Sequence, residues 1–497
     1  MTLAATVAPA ADIVVEPGGS LHEALRQARE WRRTGDARCE GGITILLKSG
    51  RYYLSEPLFL RPEDSGMASS PLVIRGEEGT VVCGDPTQRH TQLFPSQGMA
   101  PLLAFDPDAR TVTVPLRHRG EVGPFLCTTD HVTPFEMVIH QRWAIAILRV
   151  ENWTVRGDSV VVSFREPESR LEFEHPWPQP VIGGEKGSSS FLLRTTEQRD
   201  GVEQLVVVDG ASHVTFEGIT FEHTSWNRPL HKGHVTLQGG FPLVDAYKLK
   251  EHEGLPWDKG LENQAWVERP VSAVSVSHAS HAGFLRCAFR QTGSTALDFV
   301  GDVSDSFVEE CTFDSIGGTA IMAGSFAESP REVHRPYTDL AGRCQRLSIK
   351  GNRISHVGCE DWGAVAIGCG YVCDTDISGN TVTDCPYSGI CVGWGWTPHD
   401  TGMRNNHICR NVVSGYAAML YDAGGIYTLS NQPGSSIRDN IISAPSQAPY
   451  ATNDRAFRIY LDARTDGFTI SGNTTDGRPL RRDEIGDNHP GPQIVFR

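Results

Sequence analysis

At 497 residues the chain is longer than one compact core usually supports, so several domains or an elongated repeat are expected. It is 39% hydrophobic and 21% charged, with no stretch apolar enough to span a bilayer, so no membrane partner is expected. A formal net charge of −15 with no basic stripe argues against nucleic acid and favours a neutral partner such as an uncharged sugar.

The opening stretch from Met1 to Ala11 is small and apolar, but it has no Lys or Arg before Arg26 and Pro9 interrupts it. It makes a poor secretory signal. Twelve cysteines without a Cys-x-x-Cys pair read as buried free thiols of a reducing compartment, and a cytoplasmic protein is the expectation.

In chain order, Asp12 to Val15 reads as a strand. Ser20-Leu21-His22-Glu23 then forms a capping box, opening a helix to about Arg33 with Leu21, Ala24, Leu25 and Ala28 on one stripe. Such a helix covers the open end of a solenoid, whose unpaired first rung would otherwise invite edge pairing. Short strands follow at Ile43–Leu47, Pro57–Leu60, Leu72–Ile74 and Thr80–Cys83, separated by Gly- and Ser-containing turns. Between 86 and 209 this spacing breaks down. Alternating runs such as Val112-Thr113-Val114 and Val160-Val161-Val162 there suggest a β-rich insert. The expected division is 1–85 for the cap and first coils, 86–209 for the insert and 210–497 for the main coils.

From His213 a repeat is legible. Cys287, Cys311, Asn352, Asn380, Asn411, Asn440 and Asn473 share one register position, spaced by 24, 41, 28, 31, 29 and 33 residues, with apolar residues three before each. These intervals fit a multi-strand β-helix coil with variable loops. Asn tolerates the left-handed bend, and stacked amides can form a hydrogen-bond ladder, so the Asn column reads as structural.

One phrase is echoed a coil later. Tyr421-Asp422-Ala423-Gly424-Gly425-Ile426-Tyr427 returns as Arg458-Ile459-Tyr460-Leu461-Asp462, each with an acidic residue beside an Ile-Tyr pair. Coils stack ~4.8 Å apart, so a carboxylate separation of ~5–10 Å is reachable, the range glycosidases use. Asp422 and Asp462 are therefore the candidate catalytic pair. Asp462, between Leu461 and Ala463, is expected to be the acid. Asp422, beside the Gly424 and Gly425 amides, is expected to be the base or nucleophile. Asp361, in Asp361-Trp362-Gly363, falls near the Asp422 position two coils earlier. Trp394 and Trp396 can present flat indoles to a pyranose. With Tyr427, His223 and Trp226, these complete the expected substrate contacts.

The Asn-anchored coils resemble right-handed parallel β-helices of the pectate-lyase type. Phe216-Glu217-Gly218-Ile219-Thr220-Phe221-Glu222-His223, Tyr387-Ser388-Gly389-Ile390 and the two Asp phrases resemble glycoside hydrolase family 141 more specifically. The resemblance implies an all-β solenoid that hydrolyses α-L-fucosides or xylan-like glycans through an Asp pair, with no metal or other cofactor. It implies an oligosaccharide or polysaccharide as partner and leaves the oligomeric state open. Ala463-Arg464 departs from the Glu-Gly usual there. Two competing readings remain: a lyase or epimerase with Ca²⁺ held by Asp361, Asp422 and Asp462 and Arg458 or Arg464 as base, or a non-catalytic carbohydrate-binding β-helix.

Overall fold

The computed structural model describes residues 10–84, 99–118, 121–122, 135–175, 178–185, 187–195, 201–236, 238–251, 261–328, 331–332, 342–397, 400–448 and 455–497. Its backbone winds as a right-handed parallel β-helix, three strands to a coil, and the strands stack into three long sheets. A central coil shows the order. Asp376–Ser378 lies in sheet 1, the turn at Gly379 and Asn380 leads to Thr381–Val382 in sheet 2, and a loop then leads to Ile390–Val392 in sheet 3.

Strands in parallel register repeat every ~4.8 Å, so like residues stack on like. Ile349, Ile377, Ile408, Ile437 and Ile470 form one such column in sheet 1. Phe289 and Phe313 form another, with ring centroids 4.7 Å apart and planes within 2°. The asparagine column is a continuous ladder: each Nδ2 donates to the next Oδ1 at 2.9–3.0 Å from Asn352 through Asn473. At its upper end the Cys311 amide donates to Asn352 Oδ1 at 2.9 Å, so Cys311 occupies the same slot as a small buried residue. At another turn Asn406 donates to Gln432 Oε1 at 2.9 Å, a shorter network that no repeating motif announces.

The cap helix spans Leu21–Thr34 and buries Leu21, Ala24, Leu25 and Ala28 on the first coil, as its stripe implies. Ser20 accepts from the Glu23 amide, but the Glu23 carboxylate pairs with Arg26 and does not return to the cap, so only half of the expected box forms.

The insert is an antiparallel sheet. Its central strands Phe135–His140, Ile145–Arg156 and Ser159–Phe164 pair in succession, and His234–Val235, from the following segment, pairs with the first residues of Ile145–Arg156. The coils resume earlier than the 209/210 boundary expected: Val206–Asp209 already lies in sheet 3, between Leu58–Leu60 and Ser272–Ser280. The outer face of sheet 3 joins the insert's core. Met137, Ile139 and Phe191 belong to the same apolar cluster as Phe241, Phe326, Trp394, Tyr427 and Tyr460. The Tyr421 amide donates to Arg142 O at 3.2 Å, and Arg194 pairs with both Glu136 and Glu360. The insert is thus a roof over sheet 3. The groove side of the solenoid lies beneath it.

Candidate active site

The echoed phrases are neighbouring strands of sheet 3. Ala423–Thr428 pairs with Ala456–Leu461, setting Ile426 beside Ile459, Tyr427 beside Tyr460 and Thr428 beside Leu461. Alternation sends Ile426 and Ile459 into the solenoid core and Tyr427 and Tyr460 outward under the insert. Asp422 immediately precedes the first strand, in the left-handed region at φ +64°, and Asp462 immediately follows the second. Opposite strand ends lie far apart in a straight strand, but this strand bends. A Cβ on Gly424 would lie 2.6 Å from Ile426 O and 3.0 Å from Tyr460 Cβ, so the bend needs glycine there.

The bend brings Asp422 back within reach of Tyr460, while Asp462 lies two residues past Tyr460 on the same face as Tyr427. Tyr460 Oη donates to Asp422 Oδ1 at 2.9 Å, and Tyr427 Oη donates to Asp462 Oδ2. The two rings meet edge to face with centroids 5.3 Å apart. Burial holds the Tyr427 phenol well above its ordinary range, so it stays a neutral donor. Gln238 fixes the direction of that donation: its Nε2 donates to Tyr427 Oη at 3.1 Å, leaving the phenol proton for Asp462.

The two carboxylates have different surroundings. Asp462 is 6% exposed and accepts from Tyr427, from Asn488 Nδ2 at 2.7 Å, from the Ala463 amide and from Trp396. Burial raises its pKa, and these donors pull it back. Asp422 keeps 22% of its side chain exposed, and Arg455 stands 3.8 Å from it. Burial first, and the negative charge of Asp462 second, push the Asp422 carboxyl up to about 6 against the pull of Tyr460, Arg455 and Arg142. The Gly424 amide, expected to favour an Asp422 anion, donates instead to Ser388 Oγ at 3.1 Å.

The other expected contacts separate. Trp394 is buried against Phe326 and Phe241, with ring centroids 5.1 and 5.5 Å away, so it is part of the packed roof contact and offers no open indole face. Trp396 is 8% exposed and serves Asp462 as a hydrogen-bond donor. The glycines beside both suggested a sugar platform, but Phe241 and Phe326 pack on Trp394, which in turn packs on Trp396. His223 ends a sheet 2 strand at φ +60° with its ring 3.5 Å from Glu222, so it is a turn residue of a different sheet. Asp361 is held by His234 Nε2 at 2.7 Å and by the Gly363 amide at 2.9 Å. Together with Trp226 it lines a cavity beside the earlier coils, apart from the pair.

The Ca²⁺ reading needs Asp361, Asp422 and Asp462 at one point. Among the described residues no three His, Cys, Asp or Glu side chains converge as a ligand set. Arg458, one of its two candidate bases, is committed to Glu484 at 3.1 Å and to Thr475 Oγ1 at 2.7 Å.

Sequence reasoning missed Tyr460, Asn488, Gln238 and Arg455. Tyr460 was within reach, because it is the Tyr of the echoed Ile-Tyr pair. Asn488 and Gln238 belong to segments without a repeat, and only the fold brings them to the pair.

Residues 82–199 match a family described as the GH141 insertion domain. A solved structure described as a glycoside hydrolase is 32% identical, with a TM-score of 0.87 over 98% of this chain and 96% of that chain. An alginate lyase from Paenibacillus sp. is 10% identical, with a TM-score of 0.38 over 97% of this chain and 99% of its own. An exopolygalacturonase from Thermotoga maritima is 9% identical, with a TM-score of 0.40 over 99% of this chain and 93% of its own. No curated protein matches the chain.

Proposed function

Because the chain belongs to glycoside hydrolase family 141, we propose that Asp422 and Asp462 are the carboxyl pair with which it hydrolyses a glycosidic bond. The observation that carries this reading is the crossed arrangement in which Tyr460 reaches Asp422 and Tyr427 reaches Asp462, giving two buried carboxyls two different environments. Hydrolysis needs one carboxyl protonated and one ionised at the working pH.

The donor count supports a division of roles that is the reverse of the one expected from local sequence. Asp462 accepts from four donors, so a proton of its own would displace one of them, and it serves as the ionised nucleophile or base. Asp422 has one phenol donor, partial exposure and a pKa pushed up to about 6, and it serves as the acid. As the glycosidic C–O bond breaks, the Asp422 proton passes to the leaving oxygen. Asp462 meanwhile attacks the anomeric carbon or takes a proton from the attacking water. Leu461 and Ala463 suggested an apolar site for Asp462 because the donors from Tyr427, Trp396 and Asn488 arrive from other segments.

The substrate we propose is an α-L-fucoside or a xylan-like linkage in a plant- or microbe-derived glycan, on the strength of the family resemblance. Assays with nitrophenyl α-L-fucoside and nitrophenyl β-xyloside test it directly, and turnover of other aryl glycosides but of neither of these would remove both sugars. The pH profile follows from the roles. An acid with a pKa near 6 is protonated below that value, so kcat/KM should fall as pH rises through about 6. Tyr427→Phe removes a donor to the Asp462 anion and so raises the Asp462 pKa. We expect kcat/KM to drop roughly 10- to 100-fold and the acidic limb of the profile to move to higher pH. An acidic limb that stays in place would separate Tyr427 from the titrating group.

A further inference from the structure

The cavity that receives Asp361 and Trp226 has a volume of about 220 Å³ and plays no part in the chemistry at the pair. Its floor is the start of successive sheet 3 strands, at Ser294 and Thr295, at Gly318 and Thr319, and at Asp361. Its mouth carries exposed His231, Lys232 and Glu268. Asp361 lies two coils before Asp422, a displacement of ~10 Å along the solenoid axis.

The charges of the lining are already matched. His234 Nε2 holds Asp361 at 2.7 Å, Arg228 pairs with Glu268, and Arg269 clasps Asp298 through two contacts of 2.6 Å. At the mouth Lys232 stands 3.8 Å from the same Glu268, so each described Lys and Arg of the lining has a carboxylate partner. The unmet needs are single hydrogen bonds. Asn227 Oδ1, Arg228 Nε, His234 Nδ1 and Thr295 Oγ1, all on lining residues, are buried without a partner in this structure. With Nε2 engaged by Asp361, the set holds an acceptor at Asn227, a donor at Arg228, a hydroxyl at Thr295 that can do either, and the second ring nitrogen of His234. An anion can only accept. A sugar hydroxyl both donates and accepts, and Trp226, buried and packed edge to face with His234, adds apolar surface to the wall. The four atoms are closed off from solvent, so engaging them requires the lining to adjust around a ligand. Leaving a buried polar group unsatisfied is unfavourable, which favours that adjustment.

One loop joins the cavity to the pair. Gly240 packs on Asp361, where a Cβ would lie 3.0 Å from Oδ2, and Gln238 of the same loop donates to Tyr427 Oη at 3.1 Å.

We propose that this cavity is a saccharide subsite taking one neutral pyranose unit of the glycan that is cut at Asp422 and Asp462. The assignment rests on the glycosidase reading for the origin of that sugar, but its binding is measurable without turnover.

The test is saturation-transfer NMR on the full chain with the methyl glycosides of xylose, fucose, galactose and glucose, and with glucuronate and galacturonate as anionic counterparts. Asp462→Asn protein should transfer saturation to at least one neutral glycoside and to neither uronate. Trp226→Ala should reduce that transfer about tenfold. Thr295→Val, close to the same shape and safe against misfolding at the larger substitution, should reduce it several-fold. A failed glycosidase reading shows as absent turnover in wild-type protein and leaves these signals in place. Transfer only to the uronates, transfer unchanged in both cavity variants, or no transfer to any neutral glycoside would each overturn the subsite.

Discussion

Asp462→Asn is expected to lower kcat/KM by about 10³- to 10⁵-fold while the protein stays folded. The side chain keeps its shape and one carbonyl acceptor, so the surrounding Tyr427 and Asn488 donors lose part of their bonding and the coil remains. What disappears is the negative charge that attacks or activates water. Asp422→Asn should be comparably severe on substrates whose leaving oxygen needs a proton, and it has a second signature in stability. The folded-state pKa of Asp422 is raised to about 6 from 3.8, so the folded state binds its proton more tightly than the unfolded chain does. That contribution is full below about 3.8 and is lost as pH rises through about 6. Relative to wild type, Asp422→Asn should therefore be near neutral at pH 4 and more stable at pH 8 by about 1–3 kcal/mol, after allowing for partial exposure. Urea titrations at the two pH values measure this. An equal difference at both would mean that Asp422 is not a strained buried carboxyl.

The asparagine ladder supports the second large effect. Asn411 is fully buried and makes four side-chain hydrogen bonds: Nδ2 donates to Ile377 O at 2.9 Å and to Asn440 Oδ1 at 3.0 Å, and Oδ1 accepts from the Asn380 amide and Asn380 Nδ2, both at 2.9 Å. Leucine fills a similar volume but strands these partners in the core, away from water. At about 1–3 kcal/mol for each group left unsatisfied, partly relieved by local relaxation, Asn411→Leu should cost about 3–5 kcal/mol. Asn473, at the lower end of the ladder, has fewer side-chain partners, and its substitution should cost less. Equilibrium denaturation of the two variants side by side tests the gradient, and equal losses would argue against a ladder.

These features differ in how far they could be seen in the sequence. The ladder was legible because each coil returns to the same bend, so one local rule is written five times from Asn352 to Asn473. The left-handed residue of that bend is the one before each Asn (Gly351, Gly379, Arg410, Asp439 and Gly472), so Asn is there for its amide ladder and not for that conformation. The Asp pair was legible for the same reason, as an irregularity repeated in adjacent coils. The roles of the two carboxyls were not, because they depend on what crosses between coils. Trp394 and Trp396 show the limit most clearly. Their spacing and flanking glycines describe an aromatic face correctly, but nothing nearby says that Phe241 and Phe326, from distant segments, will pack over it. Asp361 and Trp226 were both picked as substrate contacts for unrelated reasons, and the fold brings them to one cavity away from the pair. The segment that unites them, with His234 and Gly240, follows the insert and carries no repeat.

The account stands or falls on the division of labour between Asp422 and Asp462, and leaving-group dependence tests that division most directly. kcat/KM would be measured for wild type and both Asn variants on aryl glycosides of one sugar, with leaving groups ranging from dinitrophenol to unsubstituted phenol. The account predicts that Asp422→Asn loses little on dinitrophenyl substrates and progressively more as the leaving group becomes more basic, while Asp462→Asn loses about equally on all. The opposite pattern would exchange the two roles. Near-normal activity in both variants would contradict the account, because the bond would then be cut elsewhere.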